Sequence, residues 1–412
     1  MKKITLLVIL IYIINLVLVL LIDEDINKLI SILFISIIYA ALYICIIKIY
    51  RKTKRADNIL FFAFIIIITM QGLIFFNYKN TVSSIENRVL ASLPEVNLFH
   101  ENFAEEMDAY INDRIGLRNE AVKIYGIIPY IKDYNIQDKV IKGINGWLYL
   151  NDGDSYLYYQ GVKNYTDEKL EQIKSNIKSN MEFCEKNNIK LITIIPPDKT
   201  TVYPEYYNPY IKKLPGKTNY EILKEFIENT FPNKNIILPY NEIINAKQDK
   251  VIYFSKDSHW NSYGAYSGYK VLAEAIAEVF PAYKIINEKD IIKCDRSEYT
   301  YNDLEKMLGI KNITKDNSTD ICPKEKNILD LKYENAHKTI WWQKSYGSKD
   351  APKILLVHDS FMVELAPFIE KGALAIGSIW TYDKDFNKIS DMILSFKPDL
   401  IIWERVERLW AD

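Results

Sequence analysis

Lys353-Ile354-Leu355-Leu356-Val357-His358-Asp359-Ser360-Phe361 is a short apolar run that ends in three polar residues. Four consecutive branched aliphatics, too few for a helix of their own, read as a strand buried on both faces. The residues after it, from Ser360 to about 370, have helical spacing. A buried strand running straight into a helix is the repeating unit of a parallel α/β sheet. In such sheets, sites form at the carboxyl ends of the strands. Ser360 therefore falls where chemistry is expected.

Working outward, the same rhythm recurs. Strands are expected at 190–195, 235–238, 251–254, 373–377 and 399–403. Helices are expected from Thr166, a plausible N-cap, to about 187, and at 218–231, 262–280 and 386–396. The fold class is α/β, with a mostly parallel sheet covered by helices on both faces. Gly143–Leu150 reads as a turn entering a strand, and residues 99–130 carry helical periodicity. Residues 283–350, rich in Lys, Asn and Asp, read as a long surface excursion that includes Trp341-Trp342.

A serine nucleophile needs a base, and the base needs an orienting acid. The chain has four histidines. His259 stands in Asp257-Ser258-His259-Trp260, just after the expected strand at 251–254. Two residues apart in an extended or turn segment, Asp257 and His259 point the same way. The carboxylate can then hold one ring nitrogen while the other faces the serine. His358, two residues before Ser360, is a competing base without such an orienting acid. His100 and His337 carry no supporting pattern. The ordinary alternative for Ser360 is a helix N-cap; that position also lies in the positive end of the helix dipole, where the serine N–H can face an oxyanion. Trp260 is a candidate to stack on a sugar ring, with plain core packing the equal alternative. Pro196-Pro197-Asp198-Lys199 ends a strand at the same edge, so Lys199 is a candidate rim or oxyanion contact, with a plain tight loop the equal alternative. Arg405 and Arg408, after the last strand, are candidates to orient the site or bind substrate, with surface ion pairs as the alternative.

The first eighty residues differ from the rest. Apolar runs at about 4–22, 29–47 and 59–76 are each long enough to cross a bilayer. Lys2 and Lys3 precede the first, Asp23-Glu24-Asp25 separates the first two, and Lys48, Arg51, Lys52, Lys54 and Arg55 separate the second and third. Basic loops stay in the cytoplasm, so the expectation is a multi-pass anchor in the cell membrane. Its N-terminus would lie inside and everything after about residue 76 outside. Residues 81–97 read as a linker, and 98–412 as one extracytoplasmic domain. Beyond residue 80 there are 43 basic and 49 acidic residues, a net charge of −6. Nothing in that balance suggests a nucleic-acid partner. Cys184, Cys294 and Cys322 are odd in number and lack metal-ligand spacing, so neither a full disulfide framework nor a metal is expected, although Cys294 and Cys322 are a candidate pair.

Several segments in order carry a resemblance. They are Glu86-Asn87-Arg88, Tyr110-Ile111-Asn112-Asp113-Arg114 with Arg118, Gly143–Leu150, Pro196–Lys199, Asp257–Trp260 with Gly264-Ala265, Asp359-Ser360-Phe361 and Glu407-Arg408. Together they resemble the alginate O-acetyltransferase-like branch of the SGNH hydrolase superfamily and the related bacterial DHHW proteins. The resemblance implies a three-layer α/β/α sandwich with Ser360 as nucleophile, His259 as base and Asp257 as orienting acid. It implies O-acetylation of a cell-surface or exopolysaccharide through an acetyl-serine, with no cofactor and with a membrane-bound O-acyltransferase as partner. A polysaccharide acetyl esterase with the same residues, and a non-catalytic polysaccharide-binding or assembly subunit, are the alternatives. The sequence departs from the pattern at Ser258, where the DHHW name has His, and at His358, where the superfamily usually has Gly.

Overall fold

The computed structural model describes residues 82–83, 88–94, 102–113, 139–232, 235–294, 302–310, 320–325, 339–342 and 348–411. The three apolar runs lie outside the described residues; among the described residues no helix is long and apolar enough to cross a membrane. The chain divides into two compact units, residues 1–125 and 126–412. In the first, β1 (Val82–Ser83) pairs antiparallel with β2 (Arg88–Val89), and α1 spans Phe103–Asn112. The Asp113 carboxylate after α1 accepts from the Ala91 N–H at 2.7 Å.

The second unit opens with a hairpin, β3 (Val140–Lys142) and β4 (Leu148–Leu150). Its connection places Asn145 and Gly146 at positive φ, a conformation these two residue types adopt at low cost. There follow α2 (Ser155–Gln160), α3 (Asp167–Lys186), β5 (Lys190–Ile194), α4 (Lys199–Val202), α5 (Asn219–Thr230), β6 (Ile236–Ile237), α6 (Tyr240–Lys247) and α7 (Ser262–Val279). Then come β7 (Ile291–Cys294), α8 (Asp303–Met307), β8 (Asp320–Pro323), β9 (Thr339–Trp342), β10 (Lys353–His358), α9 (Met362–Ile369), β11 (Ala375–Trp380), α10 (Ser390–Phe396) and β12 (Leu400–Glu404).

The central sheet has the order β6-β5-β12-β10-β11-β9. The first five strands are parallel, and β9 closes the edge antiparallel to β11. Side chains alternate across it, as strand geometry requires. Ile354 and Leu356 of β10, with Leu400 and Ile402 of β12, pack with Ile243 of α6, Leu272 and Ile276 of α7 and Leu365 of α9. Leu355, Val357, Ile401 and Trp403 point to the other face, with Ile173 and Ile177 of α3, Leu223 and Ile227 of α5 and Ile393 of α10. The four aliphatics of β10 are fully buried; each such side chain contributes roughly 1.5–3 kcal/mol. The sequence-based expectation of a helix-covered, mostly parallel sheet holds.

Local signals set the helices that frame the site. Thr166 caps α3, its hydroxyl accepting from the Lys169 N–H. Thr218 and Glu221 form a reciprocal capping box on α5. Asn261 caps α7, accepting from the Tyr263 and Gly264 N–H groups at 3.1 Å. A Cβ at Gly264 would sit 2.3 Å from the Ile252 carbonyl oxygen, so this start of α7 can press on residue 252 only as glycine.

Four expectations need correction. Residues 251–254 form no strand; an isolated bridge joins Tyr253 to Trp260 and makes the segment a narrow loop. The helix after β10 begins at Met362 and not at Ser360, because 359–361 form a tight turn. Residues 386–396 split into a 3-10 turn, Phe386–Ile389, followed by α10. The excursion at 283–350 is more than a surface loop: it gives β9 to the central sheet and pairs β7 with β8, across which Cys294 and Cys322 form a disulfide. Cys184 is free and buried.

Candidate active site

The turn after β10 and the loop before α7 meet at the carboxyl edge of the sheet. Asp359 shapes the turn. One carboxylate oxygen accepts from the Phe361 N–H at 2.8 Å and the other from the Val406 N–H at 2.8 Å, so the exits of β10 and β12 are tied together. Ser360 is left half-buried, in the turn ahead of α9. It caps nothing: its hydroxyl lies 2.6 Å from His259 Nε2. No acceptor among the described residues takes its N–H.

The loop from Tyr253 to Trp260 presents the other two residues. Its bridge is tightened by Phe254 N–H donating to the His259 carbonyl and Asn261 N–H to the Ile252 carbonyl. Asp257 Oδ1 accepts from His259 Nδ1 at 2.6 Å and from the His259 N–H at 3.1 Å. With Nδ1–H donating to the carboxylate, Nε2 is left as the acceptor for the serine hydroxyl. Both residues are buried. Burial alone would pull the His259 imidazole down, but the Asp257 carboxylate outweighs it and holds the ring above its ordinary value. Burial works against the Asp257 carboxylate too, and the imidazole beside it wins, keeping the acid below its usual range.

A second carboxylate stands behind the first. Asp303, at the start of α8, donates its N–H to Asp257 Oδ2 at 3.0 Å. Its side chain accepts from the Ser258 N–H at 2.8 Å and the Ser258 hydroxyl at 2.5 Å. Burial, then repulsion from Asp257, pushes Asp303 up to about 6. Asp257, His259 and Asp303 are a group of potential metal donors, with ligand atoms within 4.8 Å of one another. The 2.6 Å separation of Nδ1 and Oδ1 is a hydrogen bond, with no room for an ion between these two donors. Asp303 was absent from the sequence-based set. Its only signal is Asn302-Asp303 before Leu304 and Leu308, two buried apolar residues within and just after a short helix.

The structure brings Asp257, His259 and Ser360 into one hydrogen-bonded chain and puts the other candidates to different uses. Trp260 is fully buried and its indole N–H donates to the Phe361 carbonyl at 2.9 Å, so it fixes the nucleophile turn and is closed to a sugar ring. Lys199 is buried, and its ammonium donates to the carbonyls of Leu148, Ser255 and Asp257 at 2.7–3.0 Å; these three bonds match its three protons, which corrects its reading as a rim or oxyanion contact. His358 is no competing base. Its Nδ1–H donates to the Asp359 carbonyl at 2.6 Å, its Nε2 meets the Ser378 hydroxyl at 2.7 Å, and burial lowers it to about 4, so it is neutral and internal. Arg405 is buried under the edge, donating to the Asp383 carbonyl at 3.0 Å.

Arg408 alone of these five keeps a guanidinium at the site. It lies 5.4 Å over the Phe361 ring and pairs with Asp198 and Asp152. It also borders a cavity of about 740 Å³ that reaches Ser258 on one side and Tyr158, Tyr159, Lys163, Tyr220 and Tyr240 on the other. Glu407 braces its rim, accepting from the Asp198 N–H at 2.8 Å and the Thr201 hydroxyl at 2.7 Å. Burial, then Asp198, pushes the Glu407 carboxyl up to about 8.

Comparison with known proteins gives the following. Residues 140–406 match the family model for the SGNH hydrolase-like domain of the acetyltransferase AlgX. Among solved structures, Bacillus cereus PatB1 aligns at 16% identity over 66% of this chain and 96% of its own, with a TM-score of 0.47. The O-acetyltransferase domain of Pseudomonas putida AlgJ aligns at 17% identity over 66% and 93%, with a TM-score of 0.44. Pseudomonas aeruginosa AlgX aligns at 16% identity over 65% and 61%, with a TM-score of 0.40. No curated protein matches at the level of sequence.

Proposed function

Given that the chain belongs to the family of SGNH hydrolase-like acetyltransferase domains typified by AlgX, we propose that it moves acetyl groups onto a polysaccharide outside the cytoplasmic membrane, through an acetyl-Ser360 intermediate. The observation that carries this reading is the half-buried Ser360 hydroxyl set 2.6 Å from His259 Nε2, with Asp257 on the far ring nitrogen. In the first half-reaction Ser360 Oγ attacks the carbonyl carbon of an acetyl donor and its proton passes to His259 Nε2. The oxyanion is met by the Ser360 N–H, and collapse expels the donor's leaving group, which takes the proton back from His259. In the second, a sugar hydroxyl loses its proton to His259 and attacks the acetyl carbon; Ser360 departs and recovers the proton. Asp257 stays ionised throughout, orienting the ring and stabilising the imidazolium.

The cavity beside Arg408 is the proposed place for the acceptor glycan, because its tyrosine rings and charged rim suit a hydroxyl-rich chain. The apolar runs at 4–22, 29–47 and 59–76, with the basic segment between the last two, support a three-pass anchor that holds the domain on the outer face. The Cys294–Cys322 disulfide favours the same side, where thiols oxidise. A membrane-bound O-acyltransferase is the proposed acetyl supplier.

The test uses the full-length protein in detergent with an aryl acetate as donor and a cell-surface polysaccharide as acceptor. Acetyl ester on the glycan, and the mass of one acetyl group on the peptide containing Ser360, are expected. Undiminished transfer by Ser360→Ala would sink the mechanism.

A further inference from the structure

We infer that Asp303 is a positioning residue for the acid–base pair, holding Asp257 and Ser258 from outside the central sheet. The inference rests on the acetyl-serine reading above and adds a fourth residue to it. The Asp257 carboxylate is gripped from two sides. Oδ1 accepts from the backbone N–H and from Nδ1 of His259, and Oδ2 accepts from the Asp303 N–H. The Asp303 side chain binds the next residue twice, through the Ser258 N–H and hydroxyl. Without these bonds the loop would be fixed on that side by the Lys199 ammonium on the Asp257 carbonyl. With them, the carboxylate plane is set, and with it the direction of Nε2 toward Ser360.

α8 is in turn anchored. Leu304, Leu308 and Ile310 pack with Val140 and Leu148 of the β3–β4 hairpin. Asp303 Oδ2 also lies 3.7 Å from His259 Nδ1, close enough for its charge to act on the imidazolium. The charged groups around His259 are Asp257 and Asp303, which stabilise its protonated form, and Arg408, which opposes it. A purely structural aspartate would change how much enzyme is folded, whereas this one changes the proton affinity of the base.

The experiment measures kcat/KM against pH for the full-length protein on an aryl acetate, comparing wild type with Asp303→Asn, Asp303→Glu, Ser258→Ala and Ser360→Ala. The base must be neutral to work, so activity rises with pH through the His259 pKa. Removing the Asp303 charge should lower that pKa and move the acidic limb to lower pH in Asp303→Asn. The plateau should fall roughly tenfold to a hundredfold as the pair loses its alignment. Asp303→Glu keeps the charge, so its limb should stay near that of the wild type while its plateau falls. Ser258→Ala should lower the plateau and leave the limb in place, and it reports on the contact even if Asp303→Asn does not fold. An unmoved limb in folded Asp303→Asn, or a wild-type plateau in Ser258→Ala, overturns the inference. Turnover that survives Ser360→Ala overturns the acetyl-serine reading instead, so the two failures are distinct.

Discussion

Ser360 leaves the end of β10, a strand paired along both edges in the middle of the sheet, and its turn is tied to the exit of β12 by Asp359. Asp303 reaches the same site on a five-residue helix, from a segment whose nearest strands, β7 and β8, form a two-stranded ladder of their own. One side of the site is held by parallel ladders and aliphatic packing on two faces. The other is held by a disulfide, a patch of five buried aliphatics and a few hydrogen bonds. Ser360 therefore stands on the most extensively paired region of the described sheet. The alignment of the acid rests on a region that can open locally while the sheet stays intact.

The sharpest break is at the nucleophile. Ser360→Ala should lower kcat by about 10⁴-fold or more, since loss of one member of such a chain leaves only binding and oxyanion contributions. Its thermal unfolding should stay close to wild type, because the hydroxyl supports no backbone group. A large drop in melting temperature would mean that the edge is less self-sufficient than its ladders imply. On the other side, Cys322→Ser should cost about 3–4 kcal/mol, the loop-closure stabilisation expected for a bridge of 28-residue separation. Hydrogen exchange should show the loss concentrated at 291–294, 303–310 and 320–323, with β10 and β12 protected. Uniform loss across the sheet would erase the distinction between the two regions.

His358→Ala should destabilise by about 2–3 kcal/mol, through a buried void and a stranded Ser378 hydroxyl. The fraction that remains folded should keep nearly wild-type kcat; a kcat loss beyond tenfold would return His358 to the chemistry. The smallest effect is expected farthest from both sides. Tyr158→Ala should raise KM for the polymeric acceptor by roughly three- to tenfold, the contribution of one aromatic contact, with turnover of an aryl acetate unchanged.

Legibility in the sequence followed the same division. The aliphatic run at 354–357 announces a buried strand, and Ser360 at its end and Asp257 two residues from His259 could be read as a set. Those signals are local, and local periodicity is what a sequence displays. Asp303 joins the set across 44 residues of chain from His259, on a helix too short to carry a period, so only the fold reveals it. The roles of Lys199 and Arg405 differ from their sequence-based reading for a related reason, and at Trp260 the structure decides for the core-packing alternative. Proximity to the sheet edge is legible, but whether a side chain turns outward or donates inward to carbonyls depends on packing. The expected strand at 251–254 failed because a short apolar run is also what a buried loop needs when Tyr253 and Phe254 fill a core. The 283–350 excursion looked irregular because its strands, such as 339–342, are brief and separated by polar stretches.

The pairing of β5 with β12 joins Lys190 to Leu400, and His259 lies far upstream of Ser360, the residue its Nε2 meets. Contacts of such sequence separation form late, after most of the chain is available and the loop-closure entropy has been overcome. An isolated serine is a poor nucleophile, and here it gains its activating imidazole only when β10 has docked between β11 and β12. That pairing is thus withheld until the central sheet has assembled. A partly folded chain carries Asp257, His259 and Ser360 and none of their geometry.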